Sequence, residues 1–218
     1  LSLPQDGMWE AFAQMASYSE LIWGRKPCGF VSVNERNDLL HFLVMPQYQN
    51  QVAEIWQSIL EEKEIQTAQV GSHDPQFFGL CVGRHKTVKV HALLYHNPKG
   101  NRGQKIILGE GERFETASLA TFDELLSFSQ LHTGGWGSWP NDYLSHWVGQ
   151  KAVYCLREER QLVATGELGP SPSQFGVADI GVIVHGDYRG KGTATRVVQA
   201  LIHEGWMRQW TLIASTGQ

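Results

Sequence analysis

The chain has 218 residues, enough for one large domain or two small ones, and its 42% hydrophobic content argues against a wholly disordered protein. Eighteen Lys and Arg against 22 Asp and Glu give a net charge of -4, which indicates no nucleic-acid-binding surface. No apolar run reaches the roughly 20 residues that cross a membrane, and the first residues lack the pattern of a secretory signal. Three widely spaced cysteines make a poor disulfide set, so the sequence predicts a cytoplasmic protein. The net charge and the lack of a long apolar run predict that neither nucleic acid nor a membrane is a partner.

Hydrophobic periodicity predicts alternating helices and strands before residue 97. In chain order these are a helix over 5–20, strands over 28–33 and 39–45, a helix over 52–65, a strand over 66–70, a helix over 74–78 and a strand over 87–95. The segment 97–111 is rich in glycine and contains a proline, which is typical of a connection. The sequence therefore predicts a domain boundary there, with one half over 1–111 and the other over 112–218.

The second half is predicted to contain a hairpin and a strand–loop–helix–strand unit. Its elements are helices over 123–130 and 142–148, strands over 151–156, 162–169 and 177–184, a helix over 193–208 and a strand over 210–214. The same order of strand, loop, helix and strand occurs over 39–70. This repeat indicates either two related domains or a chance agreement of two similar units.

The most informative segment is a glycine-rich turn, 185–192, that joins a predicted strand to a predicted helix. The first amides of a helix have no intrahelical acceptor and carry partial positive charge. Gly190 and Gly192 let the backbone approach a ligand, and Arg189 and Lys191 add positive charge. The turn is therefore predicted to bind a phosphate or a diphosphate.

Two common phosphate-binding motifs do not fit this turn. The P-loop has four residues between its first glycine and the Gly-Lys pair, whereas three separate Gly186 from Gly190, and Gly192 stands where Ser or Thr is needed. The dinucleotide motif needs a glycine where Thr195 stands and an acidic residue about 20 positions later, where none occurs. Both a nucleotide triphosphatase and a Rossmann enzyme are thus disfavoured.

The run from Arg189 to Ala194 has the form Arg-x-x-Gly-x-Ala and follows an apolar strand. It resembles the diphosphate loop of the GNAT superfamily of acyl-CoA N-acyltransferases. The resemblance covers the second half well and the first half weakly, as a degenerate copy whose loop is 46–51. It implies an α/β (α+β) fold, a mixed, mostly antiparallel sheet flanked by helices, in two GNAT-like halves.

The resemblance implies an N-acetyltransferase that uses acetyl-CoA as cosubstrate and transfers the acetyl group to an amine by direct attack in a ternary complex. The diphosphate would lie on the loop amides, and the pantetheine arm would run along the strand before the loop. The implied cofactor-binding residues are Val182, Ile183, Val184, Arg189, Gly190, Lys191, Gly192, Thr193, Ala194 and Thr195. The alternatives are a non-catalytic CoA-binding or interaction module and a binder of some other phosphate ligand.

The resemblance also indicates catalytic and acceptor-binding candidates. Glu167 and Asp179 could each take the proton of the amine, or each could be a solvated strand-end charge. Trp136, Trp139 and Tyr143 could form the wall of an amine pocket, or they could be packing residues. The tyrosine that acts as general acid in many relatives is expected beyond Gln218. The nine histidines form no metal-binding motif, so no metal site is predicted. The sequence does not decide whether the amine belongs to a small molecule or a peptide, or whether the protein forms a homodimer.

Overall fold

The computed structural model describes residues 6–14, 16–62, 64–97, 100–133 and 141–217. Contacts divide the chain into two compact units, the first built around Met8–Val90 and the second around His91–Gln218. Among the described residues, no helix is both long enough and apolar enough to span a membrane.

The first unit is a four-stranded sheet with helices. Its elements are α1 (Gly7–Gln14), β1 (Ser17–Trp23), β2 (Lys26–Val33), β3 (Asp38–Val44), α2 (Val52–Glu62), β4 (Thr67–Ala68) and α3 (Pro75–Arg84). The strand order is β1-β2-β3-β4, with antiparallel pairs except between β3 and β4. Phe42 of β3, Trp56 of α2 and Phe77 of α3 meet in its core, with ring centroids 5.0–6.4 Å apart. Burial of these rings holds both helices on the sheet.

The second unit is a six-stranded sheet flanked by three helices. Its elements are β5 (Ala92–His96), β6 (Glu112–Thr116), α4 (Phe122–His132), α5 (Asn141–Gly149), β7 (Val153–Glu158), β8 (Gln161–Pro170), β9 (Val177–Val184), α6 (Thr193–Met207) and β10 (Thr211–Gly217). The strand order is β5-β10-β9-β8-β7-β6, and only β9 and β10 are parallel. Fully buried Val197 and Leu201 of α6 pack against this sheet. The predicted mixed, mostly antiparallel α/β architecture is confirmed.

Two strands of the structure, β1 and β6, are not predicted from the sequence. The helix predicted over 5–20 ends at Gln14, and Ser17–Trp23 is strand β1, paired along its length with β2. β6 was not predicted either, because only its pairing with β7 distinguishes Glu112–Thr116 from a polar connection. In both segments the cross-strand partner, rather than local periodicity, decides the conformation.

The division between the units falls before strand β5, whereas the sequence predicts a boundary after residue 111. Ala92–His96 pairs antiparallel with Ile213–Gly217, which draws this strand into the second sheet. The glycine-rich segment that follows then lies along α6, where the amide of Gln104 donates to the carbonyl of Gln199 over 3.1 Å. Glycine and proline mark a connection, but they do not show which sheet the preceding strand joins.

Helix α6 lies so close to the sheet that a glycine is needed between them. A Cβ at Gly166 of β8 would lie 2.8 Å from Cγ1 of Val197 and 3.1 Å from a methyl group of Leu201. We expect Gly166→Ala to lower the free energy of unfolding by about 1–3 kcal/mol, because the core has no room for the methyl group. Gly149→Ala is the control, since a Cβ there meets nothing within 4 Å. Urea denaturation of both variants tests this, and an equal effect of the two would contradict it.

Candidate functional site

A gap opens in the second sheet between β9 and β10. The two strands pair only at their starts, where Val177, Ala178 and Asp179 lie beside 211–213. β9 then continues to Val184, whereas β10 continues beside β5. Beyond Asp179, the edge of β9 that faces away from β8 therefore has no strand partner in the described part of the chain.

The register of β9 shows which backbone groups face this gap. The amide of His185 donates to Val163 of β8 over 2.9 Å, and hydrogen-bonded pairs alternate along antiparallel strands. Ile183, paired with Thr165, therefore directs its N–H and C=O towards β8. Val182 and Val184 direct theirs into the gap. Of the three residues expected to hold the pantetheine arm, Val182 has both backbone groups available for it and Val184 has its N–H, whereas Ile183 has neither.

At the end of β9, a tight turn presents a run of unbonded amides. Gly190 and Gly192 have φ angles of 73° and 80°, which are left-handed values that glycine adopts without strain. Arg196 is the first residue of α6 to donate a backbone bond, to Gly192 over 3.0 Å. None of the six amides from Gly190 to Thr195 donates to any described residue. Six adjacent N–H groups at a helix N-terminus form a site for an anion.

Other contacts fix the shape of this turn. The hydroxyl of Thr193 donates to the carbonyl of Tyr188 over 3.2 Å, and the Tyr188 hydroxyl donates to Glu158. The ammonium of Lys191 lies 5.4 Å from the centre of the Tyr188 ring. A Cβ at Gly192 would meet nothing within 4 Å, so the space beside this residue is open.

The Arg189 side chain is engaged by carbonyl groups. Its Nε donates to the carbonyl of Val184 over 3.1 Å, and its Nη2 donates to the carbonyl of His132 at the end of α4. Its backbone amide donates to Gly186 over 3.2 Å. The sequence predicts a positive charge flanking the diphosphate, whereas the structure turns this guanidinium towards the protein.

Glu167 lies on β8 directly opposite Gly181 of β9, beside the start of the gap. The Tyr143 hydroxyl on α5 donates to its Oε1 over 2.7 Å, and no described residue bonds its Oε2. Burial raises the pKa of Glu167 to about 7, although the bond from Tyr143 acts in the opposite direction. Burial and the nearby carboxyl groups raise the pKa of Tyr143, so its hydroxyl remains a donor. Glu167 can therefore gain or lose a proton near neutral pH.

Asp179 lies on the same sheet face, nearer the start of β9. Its Oδ2 accepts the amide of Gly7 over 3.2 Å, a residue whose contacts belong to the second unit. Burial, followed by the charges of Asp6 and Glu167, raises the pKa of Asp179 to about 8. Asp179 lies where β9 is still paired with β10, so Glu167 is the better placed of the two carboxyl groups to serve the gap.

The predicted acceptor residues have different outcomes. Tyr143 contacts Glu167, as described above, whereas Trp136 and Trp139 lie outside the described residues. Trp147, their neighbour in the sequence, belongs to the core beneath α4 and α5. Sequence reasoning missed the hydrogen bond between Tyr143 and Glu167, because the two residues lie 24 positions apart and no local pattern links them.

Two sequence profiles of one family match most of the chain. The profile of the acetyltransferase (GNAT) domain matches residues 1–98, and that of the acetyltransferase (GNAT) family matches residues 120–215. The chain belongs to the GNAT acetyltransferase family. The two matches agree with the predicted tandem arrangement.

Solved GNAT structures share this fold at low sequence identity. A GNAT acetyltransferase from Colwellia psychrerythraea covers the whole chain, and 82% of its own length, with a TM-score of 0.84 and 24% identity. A GCN5-related N-acetyltransferase from Sphaerobacter thermophilus has a TM-score of 0.62 and 14% identity, and the match covers 88% of this chain and 69% of that chain. The GCN5-related glucosamine N-acetyltransferase region of a fungal β-N-acetylglucosaminidase has a TM-score of 0.59 and 16% identity, and the match covers 96% of this chain and 31% of that chain. No curated sequence matches this GNAT chain closely enough to count as a relative.

The corresponding loop of the first GNAT unit differs in one decisive respect. It is a 3-10 turn over Pro46–Gln51, and α2 begins immediately after it at Val52. The segment 45–51, between β3 and α2, contains no glycine, and Glu54 lies in the first turn of α2. A carboxylate there competes with an anion for the amides. The open anion site therefore has no counterpart in this loop.

Proposed function

We propose that this GNAT protein is an N-acetyltransferase whose second unit binds acetyl-CoA and transfers the acetyl group directly to an amine. The observation that carries the proposal is the run of six unbonded amides, Gly190–Thr195, at the end of the strand that borders the gap. The amides would hold the diphosphate, with Lys191 beside them. When bound, acetyl-CoA supplies the acetyl group already activated as a thioester.

The free edge of β9 would orient the rest of the cosubstrate. Val182 offers an N–H and a C=O to the gap, and Val184 offers its N–H, since Arg189 occupies its carbonyl. Such fixed donors hold an extended amide chain as a neighbouring strand would. A donor at this edge that faces the thioester carbonyl would also stabilise developing negative charge, an effect of about 2.7–4 kcal/mol in enzymes.

Glu167 would take the proton from the amine. Tyr143 holds Oε1, so Oε2 is left to accept the proton, directly or through water. A pKa near 7 suits this task, because the carboxylate is then partly ionised at neutral pH and still basic. The protein would use a small-molecule or peptide amine, and its three free cysteines agree with a cytoplasmic location.

We expect Tyr143→Phe to shift the acidic limb of the kcat/KM profile for the amine to higher pH, by about half a unit to one unit. The hydroxyl stabilises the ionised form of Glu167, and without it the carboxyl retains its proton to a higher pH. Tyr154→Phe is the control, since Tyr154 bonds Arg208 instead. An unchanged profile in Tyr143→Phe would remove Glu167 from the proton transfer.

Two assays on the full chain test the proposed function. Calorimetric titration measures CoA binding, and release of free thiol from acetyl-CoA measures transfer to a panel of small amines and peptides. We expect both binding and turnover. CoA binding with no turnover across the panel would favour the non-catalytic module. Affinity for nucleotides but none for CoA would favour an unrelated phosphate ligand.

A further inference from the structure

We infer that Arg189 is a positioning residue that couples the acetyl-CoA loop to the end of helix α4. Its two side-chain bonds run in different directions, Nε to the carbonyl of Val184 at the end of β9 and Nη2 to the carbonyl of His132. The inference rests on the proposed function and adds a specific mechanical role to it.

The first GNAT unit contains an independent example of one of these two bonds. Gln49 follows Val44 by five residues, as Arg189 follows Val184, and Gln49 Nε2 donates to the carbonyl of Val44 over 3.0 Å. The loop of the first unit lacks the glycines and the open amides, yet it retains this bond. A donor that persists where no anion site exists serves the conformation of the loop. This comparison explains why either Gln or Arg can make the bond to the strand.

The second bond is specific to the longer arginine side chain. The carbonyl of His132 lies at the C-terminus of α4, where carbonyls lack intrahelical donors and a cation is favoured. The chain then enters 134–140, which contains the predicted acceptor residues Trp136 and Trp139. Arg189 therefore links the end of β9, along which the pantetheine arm is proposed to run, to the end of α4, after which the segment 134–140 begins.

The two bonds can be separated by substitution. Arg189→Gln can keep the bond to Val184, as Gln49 does to Val44, but its shorter side chain cannot also hold His132. Arg189→Ala loses both bonds. Lys191→Gln is the matched control for charge, since it removes one positive charge from the same loop without removing a hydrogen bond to any described residue.

We expect Arg189→Gln to bind CoA at least about fivefold more tightly than Arg189→Ala, because only the glutamine seats the loop. Both variants should raise the KM for the amine by about three- to tenfold with a smaller change in kcat. The dependence of the CoA Kd on salt should match the parent in Arg189→Gln and weaken in Lys191→Gln, since screening acts on charges that face the ligand.

Amide hydrogen exchange provides a readout that needs no CoA. Arg189→Ala should speed exchange both at the bonded amides of the loop, those of His185, Tyr188 and residue 189, and at 130–133, whereas Arg189→Gln should speed it only at 130–133. Equal exchange at the loop in the two variants would overturn the inference. So would an Arg189→Gln variant that binds CoA as weakly as Arg189→Ala, or that loses salt dependence as Lys191→Gln does. If the parent binds no CoA, the proposed function fails, and exchange alone still decides whether Arg189 positions the loop.

Discussion

Gly192→Asp is expected to raise the Kd for CoA at least about 100-fold, and Gly192→Asn is expected to raise it much less. Gly192 is the N-cap residue of α6 and has a φ angle of 80°, a left-handed value that Asn and Asp adopt more readily than other residues with a side chain. The two side chains have nearly the same size, so the added bulk is matched. Only Asp brings a negative charge to the amides from Gly190 to Thr195, where it would repel the diphosphate.

The comparison of these two variants isolates charge from shape. Calorimetric titration with CoA gives the two Kd values, and thermal unfolding without ligand checks that both proteins fold, since both side chains meet the same backbone strain at this φ angle. A Kd for Gly192→Asp equal to that of Gly192→Asn would show that charge at this turn does not act on the ligand. An unchanged Kd in both variants would place the cosubstrate elsewhere.

Glu167→Gln is expected to lower kcat about 100-fold or more and to stabilise the protein at alkaline pH. The amide cannot accept the proton of the amine, and loss of a general base costs this much in enzymes. Glutamate titrates at about 4.3 when unfolded and at about 7 in the native protein. Because the native pKa is raised, the folded state holds the proton more tightly, and stability is lost as pH rises between these values. Gln does not titrate, so Glu167→Gln should gain about 1–3 kcal/mol at pH 8 and little at pH 4.

Asp179→Asn provides the matched control, because the pKa of Asp179 is also raised, to about 8. We expect this variant to gain stability at alkaline pH and to keep most of its turnover. Steady-state kinetics and urea denaturation at both pH values test the pair. If Asp179→Asn loses the turnover and Glu167→Gln keeps it, the base is Asp179. If neither variant loses turnover, neither carboxyl is the base.

The glycine-rich turn between β9 and α6 was predictable because its conformation is determined locally. β9 spans Val177–Val184, as predicted, and α6 begins at Thr193, since an apolar run, two glycines and an amphipathic stretch each determine the backbone of their own segment. The family also follows from these residues. None of these local features depends on which strands are neighbours in the sheet.

The tertiary structure decided the contacts between residues far apart in the sequence. Tyr143 reaches Glu167 across 24 residues, and Arg189 reaches His132 across 57. The gap beside Val182 lies where β10 no longer pairs with β9 but still pairs with Ala92–His96, a strand that the sequence assigned to the other half. Such pairings depend on strand order and register, which are set by the packing of the whole unit and leave no periodic trace in either segment. The sequence by itself therefore determined the family and the glycine-rich turn before α6, whereas only the fold decided which side chains surround that turn.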